Sequence, residues 1–179
     1  MTERYDAQAI EAQWQRVWED ERAFHTPNPA PGEEGVQPHW YQLEMLPYPS
    51  GTLHMGHVLN YTMGDVQTHL RRRQGWRVLR PMGFDSFGLP AENAAISEGG
   101  HPREITERYI VVIREQMKRL GWAIDWDREV SAHEVGFYHR TQWHFLRLIE
   151  RGLAYRKAAP VNWCPVSYTH LTLPTNSRV

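Results

Sequence analysis

The chain is expected to adopt an α/β fold in which crossover helices join the strands of a parallel sheet. Three features of the sequence lead there. Short runs with apolar residues at every second position alternate with longer runs at helical spacing, in the order strand, helix, strand, helix. Each of the first two strand-like runs ends in a turn rich in proline and glycine. In open sheets of this kind ligands bind beyond the carboxyl ends of the strands, so these turns mark where a site belongs.

The first element runs from Asp6 to Phe24, where Ile10, Trp14, Val17 and Trp18 recur at helical spacing behind Asp6, a good N-cap. It reads as an amphipathic helix that docks on a neighbour. HTPNPAPGEEGVQP (25–38) follows, and its prolines exclude both helix and ladder, leaving a loop. Residues 1–38 thus form an N-terminal helix and a Pro/Gly-rich loop. HWYQLEML (39–46) places Tyr41, Leu43 and Met45 on one face of a strand. The elbow PYPSG (47–51) ends that strand, because proline supplies no ladder donor. From Leu53 to Arg73 the residues Leu59, Met63, Val66 and Leu70 make an apolar helical stripe, with Gly75 placed as a C-cap. WRVLRP (76–81) is a second strand that ends in the turn PMGFDSFGLP (81–90). Ile105, Tyr109, Val112 and Leu120 place a helix before Gly121, and Tyr138, Phe145, Leu148 and Ile149 place another, closed by Gly152. LAYRKAAPVNW (153–163) supplies a final short strand.

Bulk properties narrow the function. A chain of 179 residues with 41% apolar and 23% charged side chains can bury one core of ordinary size. Its net charge of −1 excludes a global basic field, so any contact with RNA must rest on local patches. Cys164 is the single cysteine, which excludes a disulfide framework and a complete thiolate zinc site. No apolar run approaches the ~18 residues of a membrane span, and the N-terminus lacks a signal-peptide core. A cytoplasmic globular protein with no membrane partner is expected. The eight tryptophans are spread along the chain without a repeat, as packing residues are.

The most informative stretch is PYPSGTLHMGH, from Pro47 to His57. Three roles compete for His54 and His57. They cap or decorate a helix start; they ligate a metal; or they donate hydrogen bonds to an anion. A metal needs a third and fourth ligand, and no HExxH or Cys/His spacing accompanies the pair. A helix N-terminus already carries free N–H groups and partial positive charge, so two imidazoles there suit phosphate oxygens. Gly56 between them lets a bulky group approach the backbone. Asp85, in the second turn, is an Asx-turn or N-cap on local grounds alone. Arg71, Arg72 and Arg73 are the one compact basic run; they suit a helix C-terminus, or tRNA phosphates if one is near.

The string from Pro47 to His57, the NYTMGD that follows (60–65) and PMGFDSFGLPAEN (81–93) together resemble a class I aminoacyl-tRNA synthetase, with HMGH in the place of that class's HIGH signature. Within the class they are similar to leucyl-tRNA synthetases, over roughly residues 5–165. The resemblance implies a Rossmann-like catalytic domain, of which residues 39–165 would be the first half. It implies ATP with Mg2+ as substrate, leucine and tRNA(Leu) as partners, and a monomeric parent enzyme. Leucine would be activated to leucyl-adenylate and then transferred to the tRNA's terminal ribose. His54 and His57 would be catalytic, stabilising charge on the phosphates, with Pro47, Tyr48, Pro49, Ser50, Gly51, Thr52, Leu53, Met55 and Gly56 completing the ATP site. Met45, Leu46 and Tyr48 would line the leucine pocket, with Asp85 pairing the substrate ammonium. A phenylalanine often stands in the family where Leu46 does.

By the same resemblance the editing domain, the lysine-containing KMSKS loop and the anticodon-side domain lie beyond residue 179, so the chain alone is expected to be inactive. APVNWCP (159–165) resembles the approach to the family's zinc-binding insertion, but no further cysteine follows Cys164, so that zinc site is not expected in this chain. Residues 166–179, VSYTHLTLPTNSRV, look like translated adapter sequence and are expected to be a non-native tail. Alternatives are a valyl-, isoleucyl- or methionyl-type synthetase, a different HxGH nucleotidyltransferase, and a non-enzymatic truncated product.

Overall fold

A computed structural model describes residues 5–33, 35–158, 160, 162–164 and 169–171, the last two stretches by their backbone alone. The chain divides into two compact units, residues 1–138 and 139–179.

In the first unit, α1 (Ala7–Asp20) starts where expected: the Asp6 carboxylate accepts a hydrogen bond from Ala9 N at 3.1 Å. It stops short of Phe24, because the chain turns at Arg22, whose φ is +50°. The helix docks on α4 (Pro102–Arg119), with Gln15 Nε2 donating to Arg119 O at 2.8 Å and Lys118 pairing Glu19 at 2.9 Å.

β1 (His39–Tyr41) and β2 (Arg77–Leu79) pair in parallel, with Trp40 opposite Val78, and α2 (Met55–Arg73) is the crossover between them. This is the predicted unit, but the strand expected over 39–46 is regular for only its first three residues. The ladder runs from Arg77 N on Pro38 O to Gln42 N on Leu79 O. Its next bond needs an N–H at position 81, which is proline, so the pairing ends there. The chain then feeds directly into β3 (Gly83–Phe84), which pairs in parallel with β4 (Val130–Ser131). The sequence reading placed all of 81–90 in a turn. Gly83 explains the difference, since a Cβ there would lie 2.3 Å from Val130 O: the glycine permits close strand approach. α3 (Leu89–Glu98) was also not foreseen. Gly88 and Pro90 look like turn residues, yet Pro90 falls in the first helical turn, where a missing N–H is harmless.

The core of this unit joins Tyr61, Met82, Phe84, Ile110, Ile113, Met117, Trp122 and Ile124. Two helical stripes read from the sequence need correction. On α4 the buried side is Ile105, Ile110, Ile113 and Met117, while Val112 and Leu120 are exposed. On α2 the predicted stripe faces outward: Leu59, Met63, Val66 and Leu70 are all more than half exposed. The face turned to the sheet is Tyr61, Gly64 and Thr68. Close approach and charge select that face. A Cβ on Gly64 would collide with the Glu44 carboxylate as it is placed beside Arg80, so glycine leaves that carboxylate its position.

Beneath it sits Arg80, 1% exposed. Its guanidinium donates to Asp65 Oδ1 at 2.6 Å and Tyr61 O at 2.7 Å, and reaches Glu44 Oε1 at 3.5 Å. Asp65 Oδ1 also accepts from Ala123 N at 2.7 Å. Burial lowers the Arg80 pKa, against which the two carboxylates act, and a guanidinium remains charged.

α5 (Val135–Glu150) closes at Gly152 with φ +69°, as the sequence indicated. In the second unit β5 (Asn162–Cys164) pairs antiparallel with β6 (Thr169–Leu171), Trp163 opposite His170. The final strand predicted within 153–163 is therefore present at its carboxyl end. Of the tail predicted over 166–179, residues 166–168 and 172–179 lie outside the described residues.

Removing one member of a buried ion pair strands its partner's charge, at a cost of about 3–5 kcal/mol. Asp65→Ala is expected to lower the unfolding free energy by that order in urea denaturation. A loss below about 1 kcal/mol would show that water reaches the guanidinium.

Candidate functional site

The two Pro/Gly-rich turns meet. Asp85 N donates to Pro47 O at 2.9 Å, joining the end of β3 to the elbow that follows the β1 stretch. Pro47 and Pro49 are buried and anchor the elbow; Tyr48, Ser50 and Thr52 are exposed, with Gly51 half-buried between them. The elbow's far end is fastened by Leu53 N, which donates to Gln116 Oε1 on α4 at 2.9 Å. Met45 is exposed and Leu46 packs against the core. Tyr61 Oη donates to Met45 O at 2.8 Å.

His54 and His57 form a capping box at the start of α2. Gly56 N donates to His54 Nδ1 at 3.1 Å, and His54 N donates to His57 Nδ1 at 3.2 Å. Two of the N–H groups expected to be free for an anion are thus already satisfied by the imidazoles. The consequence for chemistry is specific. A nitrogen that accepts carries no proton, so each neutral ring holds its proton on Nε2. The elbow therefore presents two Nε2–H donors, on rings stacked 3.8 Å apart. Gly56 is required for this arrangement, since a Cβ would stand 2.9 Å from His54 Cε1. Burial, aided by the neighbouring His54, holds the His57 pKa below the ordinary imidazole value.

Asp85 is half-buried, and its carboxylate has no hydrogen bond or ion pair among the described residues. It does not cap α3, whose N-cap is Gly88. Its turn is held by a pair that the sequence reading missed: Ser86 Oγ lies 2.7 Å from His133 Nδ1 and accepts from His133 N at 3.2 Å. Forty-seven residues separate the two, and no local pattern links them.

Other candidates fall elsewhere. Arg71, Arg72 and Arg73 occupy the last turn of α2. The Arg71 guanidinium lies 4.4 Å from the Trp40 ring and 5.0 Å from Trp76, while Arg72 bonds Ala23 O. They close a helix end against its neighbours. An open groove of about 610 Å3 between α1 and α4 is lined by Gln15, Trp18, Arg22, His25 and Lys118, and by none of His54, His57, Tyr48 or Asp85. His25, Asp125 and Asp127 approach one another at its edge. They are bound to each other, Asp127 to Arg22 and Asp125 to Thr26 N, so they tie the 22–26 stretch to the 125–127 turn.

A family model described as tRNA synthetases class I (I, L, M and V) matches residues 13–173. The chain belongs to this family. The match continues past Pro165, into the stretch read as a tail. Among relatives, the leucine–tRNA ligase of Thermotoga maritima is 50% identical over 167 residues, which are 93% of this chain and 20% of that protein. The leucine–tRNA ligase of Synechococcus elongatus is 52% identical over 168 residues, 94% of this chain and 19% of its own length. Among solved structures, the Agrobacterium radiobacter LeuRS–tRNA–LeuAMS ternary complex superposes with a TM-score of 0.85 at 40% identity, covering 94% of this chain and 21% of that one. The chain thus spans about a fifth of the length of the relatives it matches. The α/β class I architecture predicted from the sequence is shown by this likeness. Among the described residues no helix is long and apolar enough to cross a membrane.

Because folded His57 binds a proton more weakly than the unfolded chain does, its contribution to stability is complete above the ordinary value of 6.5 and is lost as pH falls through its own lower pKa. The melting temperature is expected to rise with pH through this window. His57→Gln, which keeps an acceptor at that capping position, should flatten the rise; an unchanged profile would refute the assignment.

Proposed function

We propose that this chain is the part of a leucine–tRNA ligase that grips ATP and leucine for the activation step. The observation that carries the reading is that the elbow bearing two Nε2–H donors is tied, by the Asp85 N to Pro47 O bond, to the turn bearing a carboxylate with no partner among the described residues. That the relatives at about 50% identity are leucine–tRNA ligases supports leucine over valine, isoleucine or methionine.

In the reaction the leucine carboxylate attacks the α-phosphorus of ATP, forming a new P–O bond as pyrophosphate leaves. Leucyl-adenylate results, and a ribose hydroxyl of tRNA(Leu) then takes the leucyl group and releases AMP. Magnesium enters with ATP, bound to its phosphate oxygens. Such chemistry needs positioning and charge stabilisation more than a covalent role for the protein. Neutral imidazoles donating through Nε2 serve charge that grows on the phosphates, and the Asp85 carboxylate suits the leucine ammonium. Met45, Leu46 and Tyr48 lie on the strand-to-elbow segment beside it and would contact the leucine side chain.

The capping box obscures a simple alanine test, since His54→Ala removes a cap worth ~1 kcal/mol together with a donor. His54→Asn and His57→Gln separate the two, because both retain a capping acceptor. Each variant is expected to melt within a few degrees of the parent chain. Placed in a complete ligase carrying this segment, each should slow leucine-dependent pyrophosphate exchange by about a hundred- to a thousandfold. A non-hydrolysable ATP analogue should shift the NMR resonances of Gly51–His57 in the chain itself. Shifts confined to the groove between α1 and α4, or normal exchange by both variants, would overturn the reading.

A further inference from the structure

Tyr61 belongs to the NYTMGD string, to which the functional reading gives no task. It is fully buried one turn beyond His57 on α2. Its ring lies nearly parallel to the His57 imidazole, with centroids 5.8 Å apart and planes 10° from each other. Its hydroxyl reaches the other arm of the site, donating to the Met45 carbonyl at 2.8 Å. Behind it the ring meets Trp122 edge-on at 5.4 Å, and its own carbonyl accepts from Arg80 at 2.7 Å. Packing alone asks only for a flat apolar side chain here. The hydroxyl and its aim at one carbonyl are extra, and a buried phenol is kept only where it finds such a partner. Burial and nearby Glu44 hold its pKa far above the ordinary phenol range, so it remains a donor.

The segment it spans needs a brace. Between Met45 and His57 the chain forms no helix or strand until Met55, and its elbow is partly exposed. We infer that Tyr61 is a positioning residue that sets the separation between the amino-acid arm at Met45–Leu46 and the phosphate arm at His57, through one hydrogen bond and one ring stack. The inference rests on the functional reading for the roles of the two arms. Bringing a carboxylate and a phosphorus within about 3–3.5 Å depends on that separation, and an error of about 1 Å can cost a hundredfold in rate.

Tyr61→Phe deletes the hydroxyl and keeps the ring; Tyr61→Leu removes both. In the isotope-labelled chain, Tyr61→Phe is expected to move the Met45 carbonyl carbon resonance and to leave the His57 ring nitrogens and titration unchanged. Tyr61→Leu should also raise the His57 titration midpoint, as the ring loses its cover. With ligands added, Tyr61→Phe should weaken leucine about five- to tenfold and a non-hydrolysable ATP analogue less than twofold, whereas Tyr61→Leu should weaken both. An unmoved Met45 carbonyl in Tyr61→Phe overturns the inference, and so does an unchanged His57 titration in a folded Tyr61→Leu. If Tyr61→Leu does not fold, Tyr61→Phe decides alone, since phenylalanine fills the same space. Failure of the parent chain to bind the ATP analogue refutes the functional reading instead, because the Met45 and His57 signals do not depend on ligand.

Discussion

A buried guanidinium organises the first unit of this fold. Arg80 leaves the end of β2 with almost no exposure and donates through its two terminal nitrogens to Asp65 and to the Tyr61 carbonyl of α2, with Glu44 of the β1 stretch within reach. Asp65 in turn holds Ala123 N, so the chain after α4 is drawn to the same point. A charge removed from water tolerates no looseness in its partners, because each lost bond leaves an uncompensated ion in a low-dielectric interior. The helix, both strands and the turn after α4 must therefore arrive in one register. Where α2 begins, and hence where its histidines stand, follows from that.

The same helix shows why an apolar pattern can be read correctly and placed wrongly. Leu59, Met63, Val66 and Leu70 form a genuine stripe, yet the inner face is the one with Gly64, Thr68 and the ionic contacts. Gly64 leaves room for the Glu44 carboxylate, which lies beside the buried Arg80 on that inner face.

At the helix start, capping uses only one nitrogen of each imidazole. Nδ1 of each histidine satisfies a main-chain N–H, and this leaves Nε2 protonated and available. Capping and anion stabilisation, which looked like competing roles for the pair, are compatible, and the first fixes the tautomer that the second requires. Tyr61 extends the arrangement, since its ring stacks on His57 and its hydroxyl holds the Met45 carbonyl of the segment that leads into the elbow.

Much of the local structure was legible without coordinates. Asp6, Gly75, Gly121 and Gly152 mark helix ends because cap geometry is a property of a few neighbouring residues. The crossover from β1 through α2 to β2 followed from periodicity, and the family from PYPSGTLHMGH, NYTMGD and PMGFDSFGLPAEN. What tertiary structure alone decided is every fact that joins distant residues. These include the outward turn of the α2 stripe, the strand hidden at Gly83–Phe84, the Ser86–His133 pair and the bond from Asp85 to Pro47. Sequence records the preferences of neighbours along the chain. The packing of one buried ion and the close approach permitted by a glycine depend on contacts between residues far apart in it, and those exist only once the chain has folded.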